Sequence, residues 1–360
     1  MAHSFEVAVI PGDGIGLEIT PAALDVADAA LARTGAAPLA RVPLHVGAQA
    51  YLDTGTDLSE EATEACAKAD AIFLGACGLP SIRKDDGTEI RPQVDLRFLF
   101  DLYAGVRPTR LLPGVPTPLA SPRASEIDFV LIRESTEGLF SPDGPGTIDD
   151  ERATDMQVIT RETTEKVSKF AFAEAARRMS DKRKPKVTLI DKANVFVSFV
   201  FMRKVFDEIA ETHAGNAEVE RIYVDASTLS FLNKPWDFDV ILTENMFGDI
   251  LSDLAAGLVG GMGYAPSADI GDERAVFQPA HGSAPDIMGT GKANPTAAIL
   301  SAGMMLDWLG RTRDRQDFID AHDLIQKATD DAFRDGLRTA EYGGSDGVKS
   351  VTEAVLAKLS

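Results

Sequence analysis

The sequence predicts an α/β fold, and the order of its segments is the main reason. Short runs rich in β-branched and aromatic residues alternate with longer segments in which apolar residues recur at helical spacing, which is typical of sheets layered with helices. The length of 360 residues suits two domains or one large α/β unit. The predicted strands are residues 6–10, 71–74, 129–132, 186–190, 221–224 and 239–242, and a helix is predicted over residues 17–31.

Polar or glycine residues follow each of these predicted strands. In open α/β sheets, ligands bind at the carboxyl ends of the strands, so we expect the functional groups to gather at that edge. The residues that follow the strands in this way include Gly12, Gly75, Arg133, Lys192, Asp225 and Thr243.

The composition argues against several classes of function. Acidic residues outnumber basic ones, 56 to 36, and the net charge of −20 argues against nucleic acid binding, which requires clustered Lys and Arg. No run of about 20 apolar residues predicts a membrane span, and the N-terminus lacks a basic segment followed by a long apolar one. The two cysteines, Cys66 and Cys77, form neither a disulfide framework nor a CxxC motif. We therefore expect a cytoplasmic protein with no membrane or nucleic acid partner.

Asp249 and Asp253 form the most informative pair of acidic residues. They lie four residues apart in an apolar-periodic run, so a helix places both carboxylates on one face about one turn apart. Like charges at this spacing repel, and a divalent cation between them would replace the repulsion by coordination. Hard oxygen ligands of this kind suit Mg²⁺ or Mn²⁺. The alternative is a solvated acidic helix start, where Asp favours the helix dipole.

Three arginines lie next to apolar segments, namely Arg97, Arg107 and Arg133. A guanidinium group binds carboxylates in a bidentate manner, so the three together predict a pocket for an anion, although each alone fits a surface ion pair. Lys192 directly follows another predicted strand. Desolvation and nearby cations would lower its pKa and let it carry a proton, whereas the alternative is a solvated loop lysine.

Two segments rich in small residues are candidates for binding a dinucleotide. Residues 12–16 form a GxGxG turn, but the dinucleotide fingerprint is GxGxxG, so we interpret this segment as a tight turn between a strand and a helix. Residues 281–296 contain glycines and small side chains that let backbone N–H groups approach a phosphate. Within that loop, Asp286 can accept hydrogen bonds from ribose hydroxyls and would repel a 2′-phosphate.

These segments together resemble the β-decarboxylating dehydrogenases, the family of isocitrate and isopropylmalate dehydrogenases, and most closely its NAD-dependent isopropylmalate, tartrate and D-malate branch. The resemblance implies a two-domain α/β fold with a large mixed sheet rather than a Rossmann fold. The first domain would comprise residues 1–102 and 260–360, and the second, residues 103–259, would carry the dimer interface and the metal site. The most specific blocks are Asp191-Lys192-Ala193-Asn194, Tyr223-Val224-Asp225-Ala226, residues 245–253 and residues 281–286.

The resemblance also implies an activity. This would be the NAD-dependent, divalent-metal-dependent oxidation, with decarboxylation, of a malate-type 2-hydroxy dicarboxylate such as 3-isopropylmalate, or of one of its relatives isocitrate, homoisocitrate, tartrate and D-malate. The substrate carboxylates would contact Arg97, Arg107 and Arg133. Mg²⁺ or Mn²⁺ would bind Asp225, Asp249 and Asp253. The catalytic residues Lys192 and Asp225 would come from the partner subunit of a homodimer with shared active sites. The cofactor would contact Asn194, His281, Gly282, Ser283, Ala284, Asp286 and Asn294.

Two places depart from the pattern of this family. Phe140 stands where the family usually has the tyrosine that protonates C3, so Lys192 or a water would deliver this proton, the second half of the reaction would be slow, or the substrate would need no such step. This departure leaves open a non-catalytic or regulatory paralogue of the same fold. Gln93 and Asp95, if they face the pocket, make its wall more polar than the leucine-rich wall of isopropylmalate enzymes, which argues against 3-isopropylmalate.

Overall fold

The computed structural model describes residues 4–85, 87–142, 146–180 and 183–359. The strands are β1 (Glu6–Gly12), β2 (Ala40–Pro43), β3 (Ala71–Ala76), β4 (Ala104–Arg110), β5 (Asp128–Glu134), β6 (Thr147–Ile148), β7 (Ala153–Thr154), β8 (Lys186–Asp191), β9 (Glu218–Tyr223), β10 (Val240–Thr243), β11 (Pro266–Ile270) and β12 (Ala275–Pro279). The helices are α1 (Gly16–Thr34), α2 (Ala48–Thr54), α3 (Glu60–Lys68), α4 (Pro92–Leu99), α5 (Arg161–Arg177), α6 (Val197–Thr212), α7 (Val224–Asn233), α8 (Asn245–Leu258), α9 (Thr296–Thr312), α10 (Gln316–Arg334) and α11 (Val348–Lys358).

One mixed sheet of ten strands forms the centre of the molecule. Its strand order is β2-β1-β3-β12-β11-β4-β5-β10-β8-β9, and β6 pairs with β7 in a separate ribbon. Neighbouring strands are parallel from β2 to β12 and again from β5 to β9. The pairs β12–β11, β11–β4 and β4–β5 between these groups are antiparallel. The predicted α/β fold with a large mixed sheet is therefore confirmed.

Burial explains the composition of the central strands. Every residue of β3 and of β10 is buried, and strands covered on both faces are continuous apolar runs rather than alternating ones. The edge strands β2 and β9 are by contrast partly exposed along their length. Helix α9 is also largely buried, because it packs against β11, β12 and α10.

The predicted strand at residues 221–224 is wrong at its end. Strand β9 ends at Tyr223, and Val224 begins α7, so Asp225 lies in the first turn of a helix. The alternation of Ile222 and Val224 continues across this boundary, so periodicity alone could not place it.

The strand order bears on the predicted division into two domains. One half of the sheet comes from residues 6–76 and 266–279, and the other half comes from residues 104–243. The halves meet where β11 pairs with β4. The boundaries between residues 102 and 103 and between 259 and 260 stay a prediction.

Two further features of the described chain relate to its surroundings. In residues 4–85, 87–142, 146–180 and 183–359, no helix is both long and apolar enough to span a membrane. Cys66 and Cys77 are both free thiols. The cytoplasmic location stays a prediction.

Candidate active site

The three predicted arginines converge on one cavity. Arg97 lies on α4, Arg107 on β4 and Arg133 on β5, and all three are buried. Together with Asp249 and Asp253 of α8, they line a space of about 160 Å³. We call this space the arginine cavity. The structure thus brings together residues from four separate elements that the sequence could only group by type.

The alternation of side chains along the strands gives the central sheet two different faces. On β4, Arg107 lines the arginine cavity, whereas Val106 lines a larger cavity. On β12, Gln278 lines the arginine cavity and Phe277 the larger one. Because successive residues of a strand point to opposite faces, the two cavities lie on opposite sides of the sheet.

Asp269 on β11 was not predicted, yet it joins two of the arginines. Its carboxylate accepts hydrogen bonds from Arg97 Nε (3.0 Å) and Arg107 Nη2 (3.1 Å). A third hydrogen bond comes from Gln278 Nε2 (2.9 Å). Burial opposes ionisation, but the two guanidinium groups outweigh it and hold the pKa of Asp269 at about 2. The ionised carboxylate therefore fixes the orientation of both guanidinium groups.

Arg133 is held by the helix that carries the two aspartates. Its Nε donates to Asn245 Oδ1 (2.9 Å), and its Nη1 forms an ion pair with Asp249. Burial, with the nearby charge of Arg97, lowers the pKa of Arg133 to about 10, so it stays cationic at neutral pH. The helix approaches this closely because position 248 is glycine: a Cβ on Gly248 would lie 2.6 Å from Arg133 Cγ.

The predicted helix with Asp249 and Asp253 is confirmed as α8. Glu244 caps it by accepting a hydrogen bond from the backbone nitrogen of Phe247 (3.3 Å). Burial and the charge of Asp249 raise the pKa of Asp253, as expected for carboxylates one turn apart. Among the residues that the structure describes, no group of three His, Cys, Asp or Glu side chains is placed to hold a metal ion. The predicted metal site would therefore need further ligands beside this pair, and it stays a prediction.

Lys192 and Asp225 form an ion pair with each other and lie outside the lining of the arginine cavity. Lys192 directly follows β8, and Asp225 lies in the first turn of α7. The hydrogen bond from Lys192 lowers the pKa of Asp225. The structure thus brings the two predicted catalytic residues together, but away from the cavity of their own chain. Their assignment to the active site of a partner subunit stays a prediction.

The predicted cofactor loop begins at the arginine cavity, where His281 and Gly282 line its wall. The Ser283 carbonyl oxygen accepts a hydrogen bond from the backbone nitrogen of Ile15 (2.8 Å). Gly14 has φ of 56°, and any Cβ there would overlap that carbonyl group, so only glycine permits the contact. The N-terminal glycine segment is thus a tight strand-to-helix turn, as predicted, and it supports the loop.

The other residues predicted to bind the cofactor differ in how available their side chains are. Ala284, Asp286 and Asn194 are exposed, and Asn194 does not line the arginine cavity. Asn294 is buried, and its Nδ2 donates to Glu341 Oε2 (3.0 Å). Its Oδ1 accepts from the first backbone N–H of α9 (3.1 Å). The side chain of Asn294 therefore stabilises the loop from within, and a direct role toward a cofactor stays a prediction.

Three buried polar atoms of the cavity lining have no hydrogen-bond partner within the described part of the chain: Gln93 Oε1, Ser267 Oγ and His281 Nε2. Buried polar atoms are rarely left unpaired, so such a group marks a place where a ligand or water forms the missing bonds. Burial lowers the pKa of His281, so its ring is neutral at neutral pH. Its Nδ1 lies 2.9 Å from the Gly282 carbonyl oxygen, which can only accept, so the neutral ring carries its proton on Nδ1 and Nε2 is an acceptor.

The sequence contained only a weak signal for the residues that were missed. Ser267 and Asp269 occupy alternate positions of the otherwise apolar strand β11, and Gln278 is a polar residue within the apolar strand β12. A polar residue inside a buried strand indicates one polar face. The sequence could not show that these faces meet the arginines, because β11 pairs with β4 across more than 150 residues of chain.

The two residues predicted to make the pocket wall polar point in different directions. Gln93 lines the arginine cavity, whereas Asp95 does not. Burial raises the pKa of Asp95, and the charges that act on it come from Lys84, Asp57 and Arg91. The segment is the helix α4, and positions two apart on a helix face nearly opposite sides. The condition that both residues face the pocket is therefore met by Gln93 and not by Asp95.

Known proteins resemble this chain in sequence and fold over most or all of its length. Residues 6–355 match the family described as isocitrate/isopropylmalate dehydrogenase. The chain is 39% identical to the 3-isopropylmalate/3-methylmalate dehydrogenase of Methanocaldococcus jannaschii, over 98% of both chains. It is 43% identical to the 3-isopropylmalate dehydrogenase of Bifidobacterium longum, over 86% of this chain and 89% of that relative. The solved structure of isocitrate dehydrogenase from Methylococcus capsulatus covers 99% of each chain, with a TM-score of 0.82 and 33% identity.

Proposed function

Since this chain belongs to the isocitrate/isopropylmalate dehydrogenase family, whose members are oxidoreductases acting on CH–OH groups, we propose that it oxidises and decarboxylates a malate-type 2-hydroxy dicarboxylate with NAD and a divalent cation. The observation that carries the proposal is the convergence of three arginines and two aspartates on one cavity beside a loop of small residues. The names of the relatives favour 3-isopropylmalate among the possible substrates.

The arginine cavity suits carboxylates. Arg97, Arg107 and Arg133 are buried, and charge-assisted hydrogen bonds are stronger where water is excluded. Asp95 faces elsewhere, but Gln93, Ser267 and Gln278 all line the wall, so the wall is polar. The preference for 3-isopropylmalate therefore rests on the names of the relatives.

Asp249 and Asp253 fit a divalent cation. Their mutual repulsion and the raised pKa of Asp253 are what a bound cation would relieve, and two carboxylates suit Mg²⁺ or Mn²⁺. We propose that Asp225 of a second copy completes the ligand set. When bound, the cation would polarise the carbonyl group formed at C2 and so favour loss of CO₂.

The loop of residues 281–294 fits NAD. The unpaired Nε2 of the neutral His281 and the small residues beside it leave polar groups free for a ligand. The exposed carboxylate of Asp286 suits ribose hydroxyls and would repel a 2′-phosphate, which favours NAD over NADP.

An exposed apolar surface next to Lys192 and Asp225 supports a homodimer. Helices α6, α7 and α8, with the two residues before α6, have exposed large apolar side chains. Helix α7 packs against α8. Exposed apolar patches of this kind are typical of interfaces. We propose that two copies meet here, which would let Lys192 of one copy take the hydroxyl proton of substrate in the cavity of the other. The exposed side chains are Val195, Phe196, Val197, Val200, Leu229, Leu232 and Ile250.

Residue 140 cannot supply the proton that C3 receives in the last step of the proposed reaction. The Phe140 ring lies over the Arg133 guanidinium group, 5.4 Å from ring centroid to Cζ, and it has no proton to donate. We propose that Lys192 or a water molecule protonates C3.

The activity is tested by following NADH formation with 3-isopropylmalate, isocitrate, homoisocitrate, D-malate and tartrate, each with and without Mg²⁺ or Mn²⁺. We expect cation-dependent turnover, fastest with a dicarboxylate, and no turnover when NADP replaces NAD at equal concentration. A folded protein that turns over none of these substrates with either cation would contradict the proposal.

The sharing of active sites has a separate test. In a heterodimer of Lys192→Met and Arg133→Gln subunits, one of the two shared sites is intact. Random mixing should therefore restore about a quarter of wild-type activity to two nearly inactive parents, since half of the dimers are mixed. If each subunit builds its own complete site, mixing restores nothing.

A further inference from the structure

Asp269 places a permanent negative charge beside the arginine cavity. It is 1% exposed, and its two oxygens bond to Arg97, Arg107 and Gln278. With both guanidinium groups against it, the carboxylate stays ionised at neutral pH. It is therefore part of the charge that any ligand of the cavity meets.

The charges of the cavity can be counted on this basis. Three guanidinium groups bring three positive charges, and the buried Asp269 cancels one of them. Asp249 also pairs with Arg133, but it belongs to the proposed cation site, where a divalent ion supplies its countercharge. The substrate side thus offers two net positive charges, which match two carboxylates. A third carboxylate would enter without a countercharge, which is costly in a buried site.

Asp269 also reduces the number of hydrogen-bond donors that the arginines offer to a ligand. Asp269 occupies Arg97 Nε and Arg107 Nη2, and Arg107 Nη1 donates to the Ala268 carbonyl oxygen (2.9 Å). Within the described ranges, the donors of these arginines left without a protein partner include both Nη atoms of Arg97 and Nη2 of Arg133. Part of the arginine cluster is already used by a carboxylate of the protein itself.

We propose that Asp269 is a specificity-determining residue, which restricts the arginine cavity to ligands with two carboxylates and excludes those with three. This inference rests on the proposed function, because it assigns the arginine cavity to the substrate. Asp269 acts through Arg97 and Arg107, so it is a positioning residue rather than a catalytic one.

Two probes that differ by one carboxylate test the proposal without any turnover. Citramalate is a 2-hydroxy dicarboxylate, and citrate is the same skeleton with a carboxymethyl group in place of the methyl group. Both are tertiary alcohols and cannot give up a hydride. We expect calorimetry at one fixed free Mg²⁺ concentration to show that the wild type binds citramalate more tightly than citrate. Asp269→Asn should shift the ratio of the two Kd values by about tenfold or more toward citrate, because one charge a few ångströms away acts strongly in a buried site.

A matched control is Asp239, the residue before β10. It is also buried and also accepts hydrogen bonds from two arginines, Arg178 Nε (3.0 Å) and Arg183 Nη1 (3.1 Å), but these arginines do not line the arginine cavity. Asp239→Asn makes the same chemical change with a similar structural cost. It should leave the ratio of the two Kd values unchanged.

A second variant keeps the proposal testable if Asp269→Asn does not fold. Gln93→Lys adds a positive charge to the cavity wall and leaves Asp269 in place. It should shift the ratio in the same direction. The proposal is overturned if folded Asp269→Asn leaves the ratio unchanged, if Gln93→Lys leaves it unchanged where Asp269→Asn does not fold, or if Asp239→Asn changes it equally. A shift in the ratio combined with no turnover of any dehydrogenase substrate would reject the proposed function and keep the role of Asp269.

Discussion

The two faces of the central sheet carry cavities of different kinds. The cavity opposite the arginine cavity, which we call the rear cavity, is lined by α5, α9 and the sheet and holds about 600 Å³. It is nearly four times as large as the arginine cavity, and its wall is more apolar, with Val106, Phe277 and Trp308 among its residues. By size and apolar lining alone, the rear cavity would be taken for the ligand site.

Whether the polar groups are paired distinguishes the two cavities better than the size of the cavities does. The rear cavity also has arginines, but they are neutralised locally, as where Arg177 bonds to Glu174 and approaches Asp307 at 3.6 Å. In the described chain, its lining has a single buried polar atom without a partner, His322 Nδ1, whereas the much smaller arginine cavity has three. Unpaired buried groups are costly, so a concentration of them indicates a place shaped for a ligand.

The largest effect is expected at Arg133, and an arginine on the other side of the sheet serves as its control. Arg133→Gln removes a buried cation and leaves its partners unpaired, which costs roughly 3–5 kcal/mol, so kcat/KM should fall by about a thousandfold. Arg177→Gln makes the same substitution at an exposed arginine of the rear cavity lining and should leave kcat/KM within about twofold of wild type. Steady-state kinetics of both variants, with circular dichroism to confirm folding, checks this. Equal losses in the two would remove the functional distinction between the cavities.

The next effect concerns two glycines of the same helix. Gly248→Ala forces a Cβ to within 2.6 Å of Arg133 Cγ and 3.2 Å of its Cα, so α8 or the strand must shift. We expect kcat/KM to fall by about tenfold to a hundredfold, because small misplacements at a reaction centre are costly. Gly257→Ala meets nothing within 4 Å and should stabilise the helix by up to about 1 kcal/mol with unchanged kinetics. Thermal unfolding and kinetics measure both; a fully active Gly248→Ala would show that the close approach is not required.

The arginine cavity also shows what could be predicted from the sequence. Arg97, Arg107 and Arg133 were predicted from residue type and apolar neighbours, and the helix with Asp249 and Asp253 from its periodicity. These predictions depend on local pattern, which a single sequence contains. Asp269 was missed because its partners lie on α4 and β4, far away along the chain, and only the antiparallel pairing of β11 with β4 brings them together.

The direction of a side chain was also harder to predict from the sequence than its residue type. Asp95 was grouped with Gln93 because the two are near each other in sequence, but the helical turn of α4 separates them. The rear cavity was not foreseen at all. Its strand residues, such as Val106, Val130 and Phe277, lie on the apolar faces of their strands. Such residues cannot be told from ordinary core before the sheet order is known.

A smaller effect is expected from reversing one charge on the cofactor loop. Asp286→Lys should raise the KM for NAD by about tenfold and improve the use of NADP, because a lysine would attract the 2′-phosphate that the aspartate repels. Asp323→Lys makes the same reversal at an exposed position of α10, beside the rear cavity residue His322. It should change neither the KM for NAD nor the use of NADP. Similar KM values for NAD in Asp286→Lys and wild type would argue against this loop as the cofactor site.

A change of a few-fold is expected at Phe140. Phe140→Tyr adds a hydroxyl to a ring that lies over the Arg133 guanidinium group, and we expect this hydroxyl to act as a proton donor for C3. If that proton transfer limits turnover, kcat should rise by about twofold to tenfold, and the fraction of product that is decarboxylated should rise with it. Product analysis by chromatography measures this fraction. An unchanged fraction would mean that Lys192 or water already delivers the proton fast enough.

The smallest effect compares one histidine from each cavity. Burial lowers the pKa of both His281 and His322, so each stays neutral when folded, and the stability that this provides is present above the ordinary pKa of about 6.5 and is lost as pH falls below it. The chain has five histidines, few enough for NMR of ¹³C-labelled histidine with assignment by single substitutions. NAD should shift the resonance of His281, whose Nε2 lacks a partner beside the cofactor loop, and leave that of His322 unchanged. A shift at His322 alone would place the cofactor on the rear face of the sheet and reverse the assignment of the two cavities.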